Sequence, residues 1–371
     1  MDQRASLNTA SLPMFPDVVV LLGDWRLADN SKIERRFGAA EFEAIERLKA
    51  ALQNLVEYRF LYLDNHDNLL SDLLTAPPGF VFNLCDTGYR NDALHELHVP
   101  ALLEMLAIPY SGAGPTGLAI CHDKGLVRAV ASAHGVPVPL ELFVGAGILE
   151  PALPFEFPAL IKLNCGDGSL GTTPESVVHN AEEVYTQLAR LRAEFPEQDV
   201  LVQEFLSGPE YSVGLIGNPG LGFTILPLLE VDYRRLDPQL PRILSYESKC
   251  DPQSLYWRQI AYREARINER ARQRLVDDAG LLFKRLGCRD YARFDFRADA
   301  NGHSKLLDVN PNPAWCWDGK LNLMAAFAGY SYAEFLRLII AAAQRRIVST
   351  GGGELVEDVS LRHSPPLENS D

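Results

Sequence analysis

Residues 292–310, Ala-Arg-Phe-Asp-Phe-Arg-Ala-Asp-Ala-Asn-Gly-His-Ser-Lys-Leu-Leu-Asp-Val-Asn, constrain the fold more than any other stretch of this chain. Asn301-Gly302 lies between two runs that alternate apolar and polar residues, which is the strongest local signal for a β-hairpin with a two-residue type I′ turn. With that turn, Asp295 faces Asp308 and Arg293 faces Asn310. Side chains alternate along a strand and cross-strand partners share a face, so these four residues fall together. Phe294, Phe296, Leu307 and Val309 take the other face. Like charges directly opposite one another destabilise a sheet, so paired aspartates imply a cation between them. Two carboxylates and an amide suit Mg²⁺, an ion commonly shared with phosphates. An ordinary exposed hairpin face has the same alternation, and the rest of the chain must decide.

The 371 residues suffice for two or three domains with real cores. A formal net charge of −14 argues against non-specific binding to nucleic acid or a membrane surface, but leaves room for a local basic pocket that takes a nucleotide. No apolar run is long enough to span a bilayer, and the polar start is not a signal peptide. Six scattered cysteines without a CxxC pair disfavour zinc and disulfide frameworks, so a reducing cytoplasm is the expected compartment.

After a loose lead-in over residues 1–15, strand-like runs at 18–23, 56–63 and 79–84 alternate with helical patterns at 39–54 and 99–106. That alternation predicts a parallel α/β domain over 16–121. A helical stretch over 115–140 ends at Gly135 and its following prolines. A central unit is expected over 122–203 and a third over 204–348, with a terminal helix from Ser331 to about Ile347. The glycine- and proline-rich end, 349–371, reads as a disordered tail.

Three further segments carry chemistry. Lys162 ends a short strand and is followed by Gly166, Gly168 and Gly171 around Ser169. Backbone N–H groups in such a loop can approach phosphate oxygens while the lysine neutralises charge, although a plain connecting loop has the same composition. Residues 200–213 run a strand through Gln203 and Glu204 into a tight turn before Glu210, an edge able to read a base and a ribose or simply a turn with surface glutamates. Tyr246-Glu-Ser-Lys249 follows an irregular loop, where a lysine is either solvated or carried over a phosphate site.

Taken in order, these segments resemble the ATP-grasp superfamily, most closely its D-alanine–D-alanine ligase branch, over about residues 80–345. The segment 99–112 and His122-Asp-Lys124 belong to the same pattern. The resemblance implies an α/β (α+β) protein with an N-terminal parallel domain, a small central lid and a C-terminal antiparallel domain. It implies ATP with two Mg²⁺ ions, Mn²⁺ being an alternative, and a homodimer acting on a small carboxylate and an amino-acid-like amine. Lys124 and Lys162 would bind phosphates, with Lys249 reaching the terminal one and Ser169 in the lid. Gln203, Glu204 and Leu206 would line the adenine, and Glu210 the ribose. Asp295, Asp308 and Asn310 would hold the ions, with Arg293 beside the charged intermediate. The implied reaction activates a carboxylate as an acyl phosphate that an amine then attacks, a chemistry of charge neutralisation and alignment.

The chain departs from the family pattern at Gln203 and Asp308, where glutamate is usual, and more deeply around the amino-acid pockets. Where the branch has a serine- and glycine-rich loop and a His-Gly, this chain reads Gly23-Asp-Trp-Arg-Leu-Ala-Asp-Asn30 and Asn83-Leu-Cys-Asp-Thr-Gly-Tyr-Arg90. Past the hairpin it reads Pro311-Asn-Pro-Ala-Trp-Cys-Trp-Asp-Gly-Lys320. Lys320, with Asp318 and Trp317, is therefore expected to shape a rebuilt acceptor pocket, and the two tryptophans to narrow it. The leading expectation is an amide-forming ligase with new substrates. A D-alanine–D-alanine ligase with variant pockets and a non-catalytic ATP-binding protein are the alternatives.

Overall fold

The computed structural model describes residues 13–29, 32–145, 155–166 and 168–351. The first sheet is parallel, in the order β2 (Arg59–Leu63), β1 (Asp17–Leu21), β3 (Val81–Asn83). Helix α1 (Ala39–Gln53) buries Ala44, Leu48, Ala51 and Leu52, a single stripe at helical spacing, against the apolar β1 and β3. Helices α2 (Leu69–Thr75) and α3 (His98–Met105) cover the other side through Leu69, Leu73, Val99 and Leu103.

The single helix expected over 115–140 is two, α4 (Pro115–His122) and α5 (Lys124–Ala133). Asp123 leaves the helical region (φ −91°, ψ 101°), and its carboxylate caps α5 by accepting the Leu126 N–H at 2.8 Å. Cys121, Val127, Ala131 and Val136 pack into the core of the third sheet, so α5 rests on that sheet rather than on the central one.

The central sheet is antiparallel: β4 (Glu141–Val144), β7 (Val200–Glu204), β5 (Ala159–Leu163), β6 (Val177–Val178). Helix α6 (Ala181–Glu194) covers one face through Val184, Leu188 and Leu191. Register places Glu141 and Leu160 on either side of Gln203, and Lys162 opposite Leu201, so these residues share the uncovered face.

The third sheet runs β11 (Ala261–Glu264), β10 (Leu229–Asp232), β8 (Glu210–Asn218), β12 (Tyr291–Ala298), β13 (Ser304–Asn310), with β9 (Gly222–Ile225) also on β8. Its back face, including Val213, Leu215, Phe294, Phe296, Leu306 and Val309, packs under α9 (Glu269–Arg285). The short helices α7 (Glu247–Cys250) and α8 (Leu255–Gln259) lie in the loop before β11, and α10 (Lys320–Phe327) and α11 (Tyr332–Gly351) end the described fold.

The hairpin is formed, with a different turn. Gly302 N–H bonds the Asp299 carbonyl at 3.1 Å and Asp299 N–H bonds the His303 carbonyl at 3.0 Å, enclosing three loop residues, with Gly302 left-handed (φ 82°). The Asp299 carboxylate accepts the Asn301 and His303 N–H groups at 2.9 Å each, which fixes this longer loop. Register near the turn is therefore shifted, pairing Phe296 with Leu306. A bulge at Leu307 restores it, so Asp295 still pairs with Asp308 and Arg293 with Asn310. Leu306, not the expected Leu307, enters the core. The bulge's backbone groups are satisfied externally: Leu306 N–H donates to Pro137 at 2.8 Å, and the Leu307 carbonyl accepts from buried Arg128 at 2.8 Å.

Buried Asp290 clasps the first and third units. It accepts the Gly112 N–H at 2.9 Å, the Asn218 amide at 3.0 Å and Arg346 of α11 at 2.8 and 2.9 Å. Part of the expected loose lead-in is fixed as well: Phe15 stacks on Phe80 at 5.8 Å, and its carbonyl accepts from Gln344 at 3.1 Å. Residues 1–12, and the tail from 352, lie outside the described residues. Among those described, no single helix is long and apolar enough to cross a membrane.

Candidate active site

The front face of the third sheet gathers charge around buried Asp295. Arg293 Nε contacts both carboxylate oxygens at 3.1 Å and Arg293 Nη2 contacts Oδ2 at 3.0 Å. Ser212, opposite on β8, donates to Oδ1 at 2.5 Å, and the Asn310 amide donates to Oδ2 at 3.3 Å. Burial would raise this carboxyl, but the charges of Arg293 and Lys320 and the Ser212 hydroxyl outweigh it and hold Asp295 well below the usual carboxylate range. Asp308, across the hairpin, accepts the Val309 N–H at 3.0 Å.

The uncovered face of the central sheet supplies the opposing charge. Burial pushes the Lys162 ammonium down to about 7; the charges of Arg128 and Lys124 push the same way, and Asp308 and Glu141 oppose them. Arg128 also pairs with Glu141, which takes the Gln203 amide at 3.0 Å. Lys124 starts α5 and donates to the Gly166 carbonyl of the glycine loop. In that loop Ser169 adopts left-handed backbone (φ 61°), and Thr172 accepts the Tyr246 N–H at 2.9 Å, joining it to the loop that carries Lys249. Lys249 is lowered to about 8, first by the atoms packed around it and then by Lys320 and Arg293, with Asp295 and Asp308 opposing. It keeps more solvent contact than Lys162, so water screens part of this push.

Several expected side chains are held by partners within the protein. The Glu204 carboxylate accepts the Leu140 N–H at 2.8 Å and pairs with Lys305, leaving its backbone and buried Leu206 on the connection to β8. Glu210 is buried, accepting from Tyr233 at 2.9 Å and lying 3.6 Å from Arg297. The Lys320 Nζ lies 3.5 Å from Asp295 and 4.0 Å from Glu210. The two tryptophans differ in setting, and Trp317 lines a surface cleft with Arg47, Asn54 and Tyr332. Trp315 is buried and donates to the Leu84 carbonyl at 2.8 Å, while Trp317 lies outside under the Arg47 guanidinium at 4.0 Å. Asp318 is exposed beside it.

A second polar cluster sits beyond the C-terminal ends of β1 and β3, where open parallel sheets take ligands. Lys32 is 3.9 Å from Glu41. Burial would lower its ammonium, but the charges of Asp86, Asp29 and Glu41 outweigh it and raise it. Asp86 is pushed up to about 6 by burial, with Lys32 opposing and Asp29 adding. Nearby, buried Asp24 accepts the His66 N–H at 2.9 Å, and His66 takes the Arg90 N–H on Nδ1 at 2.7 Å, so Nε2 carries the proton toward the Leu22 carbonyl at 2.9 Å. Lys32, Asp86, Arg128 and Glu141 were not singled out from the sequence. The one local signal for the first pair was their place in loops that follow parallel strands.

The uncovered face of the central sheet, with half-buried Lys162, thus stands toward the paired aspartates of the third sheet. A family model described as "D-ala D-ala ligase C-terminus" matches residues 150–341. The chain belongs to the D-alanine–D-alanine ligase family. An uncharacterized protein, y4sG, of Sinorhizobium fredii is 30% identical over 281 residues, 76% of this chain and 79% of that protein. A D-alanine–D-alanine ligase of Xanthobacter autotrophicus is 26% identical over 337 residues, 89% of this chain and 99% of the ligase. The solved D-alanine–D-alanine ligase of Bacillus anthracis complexed with ATP superposes with a TM-score of 0.66 at 18% identity, covering 90% of this chain and 99% of that one. The fold is therefore ATP-grasp, and the protein is an ATP-dependent carbon–nitrogen ligase of this family. Such a ligase uses ATP with a divalent metal. Among the described residues no group of three or more His, Cys, Asp and Glu side chains gathers as a metal site. The donor set that fits a hard cation is the hairpin's, with Asp308 and the Asn310 amide oxygen beside Asp295.

Proposed function

We propose that this ligase binds ATP between the central and third sheets and activates a substrate carboxylate other than that of D-alanine. A carboxylate oxygen attacks the terminal phosphorus and ADP leaves; an amine nitrogen then attacks the acyl carbon and phosphate leaves, forming the amide. The observation that carries this reading is the opposition of Lys162 and Lys249 to the Asp295–Asp308 hairpin. In it, Lys162, Lys124 and Lys249 bind phosphate oxygens, and the loop around Ser169 folds over them to exclude water. Gln203, the Glu204 backbone and Leu206 line the base, and Glu210 faces the ribose. Asp308 and Asn310, with Asp295, hold Mg²⁺, for which Mn²⁺ substitutes through the same oxygen donors. The bound ion neutralises phosphate charge. Arg293 stabilises negative charge at the transferring group.

The first-sheet cluster supports a changed substrate. A lysine balanced against Asp86, Asp29 and Glu41 can receive a carboxylate, and the acidic groups can receive an amine. The test is an ADP-release assay over a panel of D- and L-amino acids and aryl carboxylates. Turnover with an acid other than D-alanine, lost on Lys32→Ala, is expected. Efficient D-alanyl-D-alanine synthesis that survives Lys32→Ala would instead identify a ligase with the activity that the Xanthobacter relative's name describes.

A further inference from the structure

Lys320 begins α10, where a cation opposes the helix dipole, so helix stability does not explain it. What places it is the packing of α10 on β8. Gly214 leaves space on the front face: a Cβ there would stand 2.6 Å from Leu321 and 3.1 Å from Met324. A side chain at 214 would have to displace the ends of the Leu321 and Met324 side chains that fill this space. With glycine, Leu321 and Met324 seat on the strand, and the preceding residue, Lys320, is lowered toward Ser212 and Glu210. Its Nζ comes within 3.5 Å of Asp295 Oδ1 and 4.0 Å of Glu210 Oε1, and 6.0 Å from the Tyr262 ring. The lysine is only 10% exposed, and the two carboxylates it touches are 11% and 6% exposed.

These contacts saturate Asp295. Oδ1 receives Ser212, Arg293 and Lys320, and Oδ2 receives Arg293 and Asn310. A carboxylate has about four lone-pair directions, and here all are taken by donors of the protein. A divalent ion on Asp295 would have to displace at least one of them. An ammonium fixed against the same oxygen adds repulsion, which a site of low exposure screens weakly. Asp308, by contrast, carries the single N–H of Val309.

We propose that Lys320 is a built-in counter-cation of the metal hairpin. It takes one of the two cation positions that an open aspartate pair would offer, so that one divalent ion binds, on Asp308 and Asn310. This rests on the reading of the hairpin as the metal site of an ATP-using ligase, and it revises that reading in two respects: one ion replaces the pair that the family resemblance implies, and Asp295 stands beside the ion instead of ligating it. Lys320 is on this view a positioning residue: it keeps Asp295 charged and in place with a proton-bearing group instead of a metal.

The test counts ions rather than turnover. Mn²⁺ bound per full-length chain in the presence of saturating ADP is measured by electron paramagnetic resonance of the free ion, with ADP affinity measured separately by calorimetry. The wild type is expected to hold one Mn²⁺. Lys320→Met is expected to hold two, with the second lost again in Lys320→Arg, which restores a cation. Lys320→Gln serves in place of Met if the latter fails to fold. Two ions on the wild type, or one ion on every variant, would overturn the inference while leaving the ligase reading intact. Absence of both ADP and Mn²⁺ binding in a folded wild type would overturn the ligase reading itself, and the inference with it.

Discussion

The nucleotide cleft and the first-sheet cluster are built from similar residues, lysines set against carboxylates, yet they are organised differently. In the cleft, Lys249 on the loop helix α7 apart, the charges come from a regular strand or a helix start: Lys162 from β5, Asp295 and Arg293 from β12, Asp308 from β13, Lys124 and Lys320 from the first residues of α5 and α10. Register then determines who meets whom. Around the first sheet the charges sit on loops, with Lys32 and Asp29 after β1 and Asp86 after β3. A charge on a strand is held by the sheet and suits a chemistry shared across a family. A charge on a loop can be exchanged without disturbing a core, which suits choice of substrate.

That contrast can be broken most sharply at Asp308. Asp308→Asn keeps the hairpin's shape and relieves its repulsion with Asp295, yet removes the carboxylate most open to the metal. Product formation is expected to be abolished with the thermal melt unchanged or raised; turnover near the wild-type rate would take the hairpin out of the active site. The next largest effect is on nucleotide binding. Removing Lys162 or Lys249 as alanine should weaken ATP by about 1.5–3 kcal/mol for each lost charged hydrogen bond. Calorimetry giving wild-type affinity for both variants would take the two lysines out of the nucleotide site.

A pH series sharpens it further. Lys162 is lowered to about 7 in the free protein. The folded value lies below that of an unfolded lysine, so this residue costs stability in full below pH 7, and the cost fades as pH rises through the lysine range. Phosphate oxygens favour the charged form, so ATP binding should take up a proton above pH 7. Affinity should then fall by up to about tenfold per pH unit in that range. Calorimetry in buffers of different ionisation enthalpy reads the uptake directly, and Lys162→Arg should flatten the slope. A flat profile in the wild type would mean that Lys162 is already charged before ATP arrives.

The smallest effect concerns the wall outside the cleft. Trp317→Ala removes only the exposed contact with Arg47, worth about 0.5–1 kcal/mol. The melt should drop slightly while the substrate KM stays constant. A large change in KM would place Trp317 in the substrate pocket.

Local chemistry determined a great deal of this protein. Alternation in residues 292–310 specified a hairpin, and the pairing of Asp295 with Asp308 follows from it. That pairing holds although the turn is longer than the two residues expected. Asp299 draws the chain into a three-residue loop, and the bulge at Leu307 cancels the shift. The cancellation itself was invisible in the sequence, because the groups that anchor the bulge, Arg128 and Pro137, lie more than 150 residues upstream. The same reason explains Lys320. Sequence placed it after the hairpin among aromatic residues and suggested a pocket; that its ammonium lies beside Asp295 follows from how α10 packs over Gly214 on β8. Spacing along the chain determines which face of a strand or helix a residue occupies. Which charges then share a buried volume depends on how separate elements pack, and that was decided only when the sheets and α10 came together.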